Sequence, residues 1–164
     1  MPSISHLYIV RHAWAEDVGP HGDDFSRPLT KKGKKRFEKI IAHLHNAGMQ
    51  VDSIATSPLV RTRETADIMA KQFGIQSNVT EVDALAPGAD MQEIASWSMN
   101  QHVSRVAWVG HAPCVGRLVA CVLGTQSLAI RMRKGAIASI QLANGLSQPG
   151  ELEWLVTANV VERH

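Results

Sequence analysis

Apolar residues along this chain fall into two kinds of pattern. Short runs rich in valine and isoleucine alternate with longer stretches in which apolar residues recur every three or four positions. The short runs predict β-strands and the longer stretches predict helices. Strands are expected near residues 6–12, 52–56, 78–82, 104–109, 136–142 and 152–157. This alternation predicts an α/β three-layer sandwich, with helices on both faces of a mostly parallel central sheet of about six strands.

The helices are located by their apolar faces and their end signals. The first is expected to begin at Thr30, a suitable N-cap, and to end before Gly48. For the second, Ser57 is the expected N-cap, Pro58 the first helical position and Gly74 the end. Two further helices are expected, at roughly 90–101 and 113–124.

The composition is that of an ordinary globular protein. The 164 residues are 45% hydrophobic, which fits one domain over residues 1–164. A formal net charge of +2 does not favour nucleic acid. Neither a signal peptide nor a membrane-spanning run is visible, and Cys114 and Cys121 have the pattern of core residues in a reducing compartment. We therefore expect a cytoplasmic protein that binds neither nucleic acid nor membranes.

Four polar residues lie at or near the ends of predicted strands. Arg11 and His12 end the first strand, Arg61 lies near the start of the helix after the second strand, and His111 follows the fourth strand. Because the carboxyl ends of parallel strands form the edge where ligands bind, these side chains should converge. Taken alone, a histidine at a strand end is more often a hydrogen-bonded turn residue. Their joint placement after three strands favours a shared site.

The chemistry of this set is that of a phosphate pocket. Guanidinium groups fit phosphate oxygens, and helix starts offer backbone N–H groups to the same anion. A neutral histidine is a nucleophile, and nearby arginines lower its pKa. One histidine can attack phosphorus while the other stabilises the charge of the transferred group. The sequence has no metal-ligand spacing and no nucleotide-binding glycine loop, so no metal and no other cofactor is expected.

Several segments resemble the motifs of the histidine phosphatase superfamily, also called the phosphoglycerate mutase-like superfamily. The motif Arg-His-Gly is similar to LYIVRHAWAED, the element Ser-Pro-x-x-Arg-x-x-x-Thr to TSPLVRTRETAD, and the second histidine motif to VGHAPCVGRLV. Small SixA-type phosphohistidine phosphatases have stretches similar to SRPLTKKGKKR and LAPGAD. The resemblance runs through nearly the whole chain in the same order, and it implies the same α/β fold.

The resemblance implies a role for each matched residue. His12 would be the nucleophile that forms a phosphohistidine intermediate, which water then hydrolyses. Arg11 and Arg61 would hold the phosphoryl oxygens, and His111 would donate a hydrogen bond to the phosphoryl group.

Two further positions are implied with less support from the residues themselves. Arg27 would match an additional substrate-binding arginine of the SixA-type members, the alternative being a surface arginine before a helix. Ala13 stands where the motif has glycine. Its small side chain would still let phosphate approach the backbone, but a positive φ at Ala13 would be costly.

A missing acid bears on the substrate. Many phosphomonoesterases of the superfamily carry a glutamate after the third strand, whereas Ala84 stands about there in this chain, with Glu81 and Asp83 nearby. Expelling an alkoxide calls for a general acid, but phosphohistidine that is protonated on its ring releases neutral imidazole, which is a better leaving group. The stretch between the third and fourth strands has room for one helix, so no capping insert is expected. An open pocket can admit a side chain of another protein.

These features predict a metal-independent phosphohistidine phosphatase that acts on a phosphorylated histidine-containing protein or a small phosphorylated substrate. Two alternatives stay open, a small-metabolite phosphomonoesterase of the same superfamily and a non-catalytic module that binds phosphorylated ligands. The basic run at 31–39 is most simply the solvated face of the first helix. Its alternative is a docking surface for an acidic protein partner.

Overall fold

One six-stranded sheet organises the protein, for which a computed structural model describes residues 3–163. Its strands are β1 (His6–Arg11), β2 (Ser53–Thr56), β3 (Val79–Glu81), β4 (Arg105–Gly110), β5 (Ile137–Gln141) and β6 (Glu151–Val156). They lie in the order β3-β2-β4-β1-β5-β6. The first four strands of this order run parallel, whereas β5 and β6 pair antiparallel. The predicted mostly parallel sheet is therefore confirmed.

Helices cover both faces of the sheet. They are α1 (Lys31–Asn46), α2 (Val60–Phe73), α3 (Met91–Met99), α4 (Cys114–Val122) and α5 (Ala158–Val161). Alternate residues of β1 enter two separate apolar cores: Ile9 packs with residues of α3 and α4, and Val10 with residues of α1 and α2. Since successive side chains of a strand point to opposite faces, the two cores lie on opposite sides of the sheet. This arrangement is the predicted three-layer sandwich.

The starts of two helices differ in how well the sequence predicts them. At α1, the Thr30 hydroxyl accepts a hydrogen bond from the Gly33 N–H at 2.8 Å, as a threonine N-cap should. The prediction for α2 is wrong, because its N-cap is Leu59 rather than Ser57. The Ser57 hydroxyl lies 2.8 Å from Nε2 of His111 instead. The start of α2 therefore has no side-chain cap, because a tertiary contact takes the hydroxyl that the sequence offers as one.

The loop between β1 and α1 folds back along the edge of the sheet. Ala15 pairs with Leu29 in an isolated antiparallel bridge. Farther along the loop, the carbonyl of Phe25 accepts a hydrogen bond from the Val60 N–H at 3.1 Å, which ties the loop to the start of α2. The loop therefore lies next to the carboxyl ends of the parallel strands. Across residues 3–163, no helix combines the length and the apolar character that a membrane crossing needs.

Candidate active site

The carboxyl ends of β1, β2 and β4 bring three polar side chains to one place. His12 follows β1, and its backbone N–H donates to the Gly110 carbonyl at the end of β4 at 3.0 Å. His111 follows β4 directly. Ser57 follows β2, and its N–H donates to the Val109 carbonyl at 3.1 Å. Sheet hydrogen bonding therefore continues one residue past the strands and fixes the backbone that carries both histidines.

The imidazole of His12 is held in the neutral form that a nucleophile needs. Its Nδ1 lies 2.7 Å from the carbonyl oxygen of Ala13. Because a carbonyl can only accept, Nδ1 carries the proton and Nε2 carries the lone pair. Burial lowers the pKa of His12 to about 3, and the positive charges of Arg61 and Arg11 contribute in the same direction. At neutral pH the ring is uncharged and able to attack phosphorus.

His111 is the second buried histidine of the site. Its ring centroid lies 5.4 Å from that of His12, and its Nε2 lies 2.8 Å from the hydroxyl oxygen of Ser57. Burial, followed by the positive charge of Arg61, lowers the pKa of His111 to about 4. This imidazole is also neutral at physiological pH, and one of its nitrogens can donate a hydrogen bond.

Two arginines are oriented by backbone carbonyls and one carboxylate. Arg11 donates from Nη1 to the carbonyl of Met132 at 3.0 Å. Arg61 is buried and donates from Nη1 to the carbonyl of Asp24 at 2.8 Å and from Nη2 to its carboxylate at 2.9 Å. These hydrogen bonds are all made by Nη groups. The Nε–H of each arginine makes no hydrogen bond to the protein.

The site contains buried donors that have no protein partner. Among the described residues, four buried side-chain atoms lack a hydrogen bond: Arg11 Nε, Arg61 Nε, His111 Nδ1 and Ser26 Oγ. Three of these four belong to the residues that surround His12. An unsatisfied buried donor costs about 1–3 kcal/mol, so a cluster of three is typical of a site built to bind an anion.

Arg27 reaches this cluster through a carboxylate. It donates from Nε to the carbonyl of Glu16 at 2.6 Å and from Nη1 to the carboxylate of Asp24 at 2.8 Å. Because Asp24 also binds Arg61, one carboxylate joins the two arginines. Hydrogen bonds from Arg27 and then Arg61 lower the pKa of Asp24, which keeps that carboxylate ionised. Sequence reasoning missed Asp24, since it lies in a loop with no periodic pattern.

Ala13 fits its position without backbone strain. Among residues 3–163, His102 is the only non-glycine residue with a positive φ, so Ala13 has no need of the conformation that favours glycine. Ala13 is fully buried, and its N–H donates to the hydroxyl of Thr65 at 3.1 Å. That hydroxyl in turn donates to the carbonyl of Arg61 at 2.7 Å. The backbone after His12 is thereby tied to the helix that carries Arg61.

The segment after β3 supplies no carboxylate hydrogen bond to either site histidine. Ala84 is buried, as its apolar side chain requires. Glu81 is exposed and pairs with Arg63, 3.1 Å from its Nη1. Asp83 is exposed as well. In the part of the chain that the structure describes, no group of three or more His, Cys, Asp or Glu side chains is placed to hold a metal ion.

Comparisons with known proteins agree with this geometry. A family model described as "Histidine phosphatase superfamily (branch 1)" matches residues 7–86. An uncharacterized protein of Picosynechococcus sp. is 30% identical over 140 residues, covering 82% of this chain and 84% of the relative. The mitochondrial serine/threonine-protein phosphatase Pgam5 of Drosophila willistoni is 32% identical over 88 residues, which span 53% of this chain and 30% of that protein.

The fold also matches solved structures. The protein histidine phosphatase SixA, complexed with tungstate, superposes with a TM-score of 0.82 and 24% sequence identity. The superposition covers 95% of this chain and 99% of that chain. The similarity therefore extends over the whole sheet and the helices on both of its faces.

Proposed function

Because the chain belongs to the histidine phosphatase superfamily, we propose that it is a phosphohistidine phosphatase, which removes the phosphoryl group from a phosphohistidine of another protein. Membership of the superfamily and the phosphatases among its relatives support a phosphatase. The proposal goes further in naming a phosphorus–nitrogen bond as the scissile bond. It depends on the protonation state of the carboxylate near the site and on how openly a protein substrate can reach His12.

The observation that carries the proposal is the ring of unpartnered donors around His12. Arg11 Nε, Arg61 Nε and His111 Nδ1 are buried beside a neutral imidazole whose Nε2 holds a lone pair. Donors fixed in place before the substrate binds stabilise the charge of a transferring phosphoryl group without reorganisation. The same positions orient the phosphorus for attack by Nε2.

The proposed reaction has two displacements at phosphorus. In the first, the substrate phosphohistidine carries a proton on its other ring nitrogen. The Nε2 lone pair of His12 attacks phosphorus, the bond from phosphorus to the substrate nitrogen breaks, and its electron pair stays on that nitrogen, so the substrate leaves as neutral imidazole. In the second, water attacks the phosphohistidine of the enzyme, phosphate leaves, and the bonding pair returns to Nε2. Arg11 and Arg61 bind the phosphoryl oxygens throughout, and His111 donates from Nδ1.

The state of the nearby carboxylate supports a phosphorus–nitrogen bond. Asp24 is close enough to His111 for its negative charge to raise the pKa of that imidazole slightly against the effect of burial. Hydrogen bonds from Arg27 and Arg61 lower the pKa of Asp24 itself. An ionised carboxylate cannot supply the proton that an alkoxide leaving group needs. A phosphohistidine that is protonated on its other ring nitrogen releases a neutral imidazole, whose conjugate acid has an ordinary pKa of about 6.5, and needs no proton from the enzyme.

Access to the site supports a protein substrate. Between β3 and β4 the chain forms only a 3₁₀ turn (Asp83–Leu85) and α3 within residues 82–104. No further element in that stretch covers the carboxyl edge of the sheet. A histidine side chain presented by a folded phosphotransfer protein can therefore approach His12.

The test is phosphate release from a phosphorylated histidine-containing phosphotransfer domain in the presence of a chelator. We expect release by the wild type and by His43→Ala, which changes an exposed histidine of α1, and none above background by His12→Ala. Rapid quenching of the wild-type reaction should trap an acid-labile, alkali-stable phosphate on His12.

A substrate panel then separates the candidate functions. Phosphohistidine peptide and phosphoramidate should be turned over with a kcat/KM at least about tenfold above sugar phosphates and phosphoserine, because the latter need a general acid. The reverse order would favour the small-metabolite phosphomonoesterase. Tight binding of a phosphopeptide without release and without a trapped intermediate would show a binding module. Loss of release on chelation would contradict metal independence.

A further inference from the structure

A basic groove lies against the candidate active site, and Arg11 is the one residue of the proposed chemistry that lines it. It encloses about 280 Å³. Most of its wall is formed by one aromatic and five basic side chains, those of Trp14, Arg11, Arg36, Arg131, Arg133 and Lys134. No aspartate or glutamate lines it. We call this feature the basic groove.

The charges of the basic groove are largely uncompensated. Arg36 is bonded to Glu162 and lies over the ring of Trp14, with 4.0 Å from its Cζ to the ring centroid. In contrast, Arg131, Arg133 and Lys134 are exposed and form no ion pair with any other described residue. Three cations on four consecutive residues repel one another, so an anion that binds among them lowers the free energy of the folded protein.

The loop that carries these cations is fixed to the catalytic backbone. The carbonyl of Met132 accepts the hydrogen bond of Arg11 Nη1 at 3.0 Å. Gly135 donates its N–H to the carbonyls of both Arg11 and His12, at 3.2 and 3.1 Å. Arg11 itself lines the basic groove. An anion in the groove is therefore adjacent to a phosphoryl group bound at His12.

The exposed position of the cations identifies the kind of anion. A second phosphate of a small molecule is usually held by buried, converging donors, as at His12 itself. Here the free cations are solvent-accessible and spread along one open wall, which suits several carboxylates on a polypeptide. The groove between α1 and α2 is different, because Glu38, Glu64 and Asp67 stand among its lysines.

We propose that the basic groove binds acidic side chains that flank the phosphorylated residue of a protein substrate. The groove thus selects substrates by the charge of the neighbouring polypeptide, in addition to the phosphoryl group. This inference rests on the proposed function for the nature of the substrate. It assigns the docking role to Arg131, Arg133 and Lys134 rather than to the lysines of α1.

The test is an equilibrium binding experiment that needs no turnover. Two ten-residue phosphoserine peptides are compared, one with three glutamates beside the phosphoserine and one with three glutamines. Both are titrated against the His12→Ala protein, so that neither is hydrolysed. We expect the glutamate peptide to bind about tenfold more tightly at low ionic strength, with the difference shrinking in about 0.5 M salt.

Charge removal locates the preference. In His12→Ala protein that also carries Arg131→Gln, Arg133→Gln and Lys134→Gln, we expect the two peptides to bind with affinities within about twofold of each other. The matched control carries Lys35→Gln, Lys39→Gln and Lys71→Gln, which remove the same charge from exposed residues of the other groove and should leave the preference intact. All six side chains are exposed, so thermal unfolding should stay close to that of the parent protein.

Equal binding of the two peptides by the parent protein would overturn the inference. A preference that survives in the basic-groove variant, or disappears in the control variant, would overturn it as well. None of these three outcomes bears on the scissile bond, because the proposed function is decided separately by phosphate release from phosphohistidine. A protein that fails to release phosphate but keeps the charge preference would contradict only the proposed function.

Discussion

Nε2 of the His111 imidazole and the hydroxyl oxygen of Ser57 lie 2.8 Å apart, and both side chains are buried. The hydroxyl oxygen also receives the N–H of Leu59 at 3.4 Å. Among the described residues, His111 Nε2 is the only acceptor bonded to this hydroxyl, so we assign the Ser57 proton to that bond. Nε2 then accepts, and the proton of a neutral His111 lies on Nδ1. Nδ1 is the atom without a protein partner. The geometry therefore predicts that Ser57 is a positioning residue, which keeps His111 Nδ1–H available as a donor to a bound phosphoryl group.

Replacing Ser57 by alanine should shift the tautomer of His111. We expect Ser57→Ala to lower kcat by about tenfold or more, because the Nδ1–H donor is no longer favoured. Long-range ¹H–¹⁵N spectra of the histidine rings should show the proton of His111 moving in part from Nδ1 to Nε2. The shift of the proton is the decisive measurement, since a merely structural role of Ser57 would not produce it.

Ser98 offers a matched control for this substitution. Its hydroxyl is also fully buried and accepts a hydrogen bond from Trp108 Nε1 at 2.8 Å. Trp108 belongs to the apolar core that contains Ile9. Ser98→Ala should lower the free energy of unfolding by about 1–2 kcal/mol and leave kcat unchanged. Equal effects of the two substitutions on kcat, with an unchanged His111 tautomer in Ser57→Ala, would contradict the positioning role.

The hydrogen bond of Ser57 shows which parts of the site the sequence predicts and which it does not. Strand patterns such as LYIV locate β1 and β4, and parallel pairing then places Arg11, His12 and His111 at one edge. A serine before a proline looks like a helix cap in any sequence. Only the folded chain shows that this hydroxyl faces a histidine 54 positions away in the sequence. Local sequence preferences contain no information about a contact between residues so far apart in the chain.

The loop before α1 was beyond prediction for a similar reason. Its residues have no apolar period, so nothing in the sequence pairs Asp24 with Arg61 and Arg27. The places of Arg11, His12 and His111 were predictable because the pairing of β1 with β4 determines them, and that of Arg61 because it lies near the start of the helix after β2. The carboxylate that orients one of them was not, because a long irregular loop determines its place.

Arg61 and Arg27 should contribute unequally to catalysis. Arg61 is buried with a free Nε–H in the site, whereas Arg27 is bonded to Asp24 and the Glu16 carbonyl. We expect Arg61→Ala to lower kcat/KM by about a hundredfold or more. Arg27→Ala should cost less than about tenfold, since it acts on the phosphoryl group mainly through Asp24 and Arg61. Steady-state kinetics on a phosphohistidine peptide measure both.

A surface arginine at the opposite end of the sheet controls for loss of charge. Arg105 begins β4 and is bonded to Asp52, with Nη2 and Oδ1 2.6 Å apart. Arg105→Ala should leave kcat/KM within about twofold of the wild type. An effect of Arg27→Ala as large as that of Arg61→Ala would show that Arg27 itself binds the phosphoryl group.

Both site histidines should stay neutral across the physiological pH range. The pKa of His12 is lowered to about 3 and that of His111 to about 4, chiefly by burial in both cases. NMR titration of the ring protons should show no charge change for either residue between about pH 5 and 8. In urea, where the chain is unfolded, the same two rings should titrate near their ordinary value of about 6.5. A midpoint near 6.5 for either ring in the folded protein would contradict this prediction.

The same lowered pKa values predict that the folded protein loses stability in mild acid. Between about pH 6.5 and 3, His12 is protonated in the unfolded chain but stays neutral in the native state. The unfolded state therefore binds more protons, so the free energy of unfolding rises with pH in this window and levels off above it.

From pH 7 to pH 5, His12 alone should lower the free energy of unfolding by about 2 kcal/mol. Urea unfolding of the wild type and of His12→Asn at both pH values should show this loss in the wild type and a smaller one in the variant. His43→Asn, which changes an exposed histidine, should keep the wild-type pH dependence. An equal loss in the wild type and in His12→Asn would mean that His12 is already protonated, or freely protonated, in the native state.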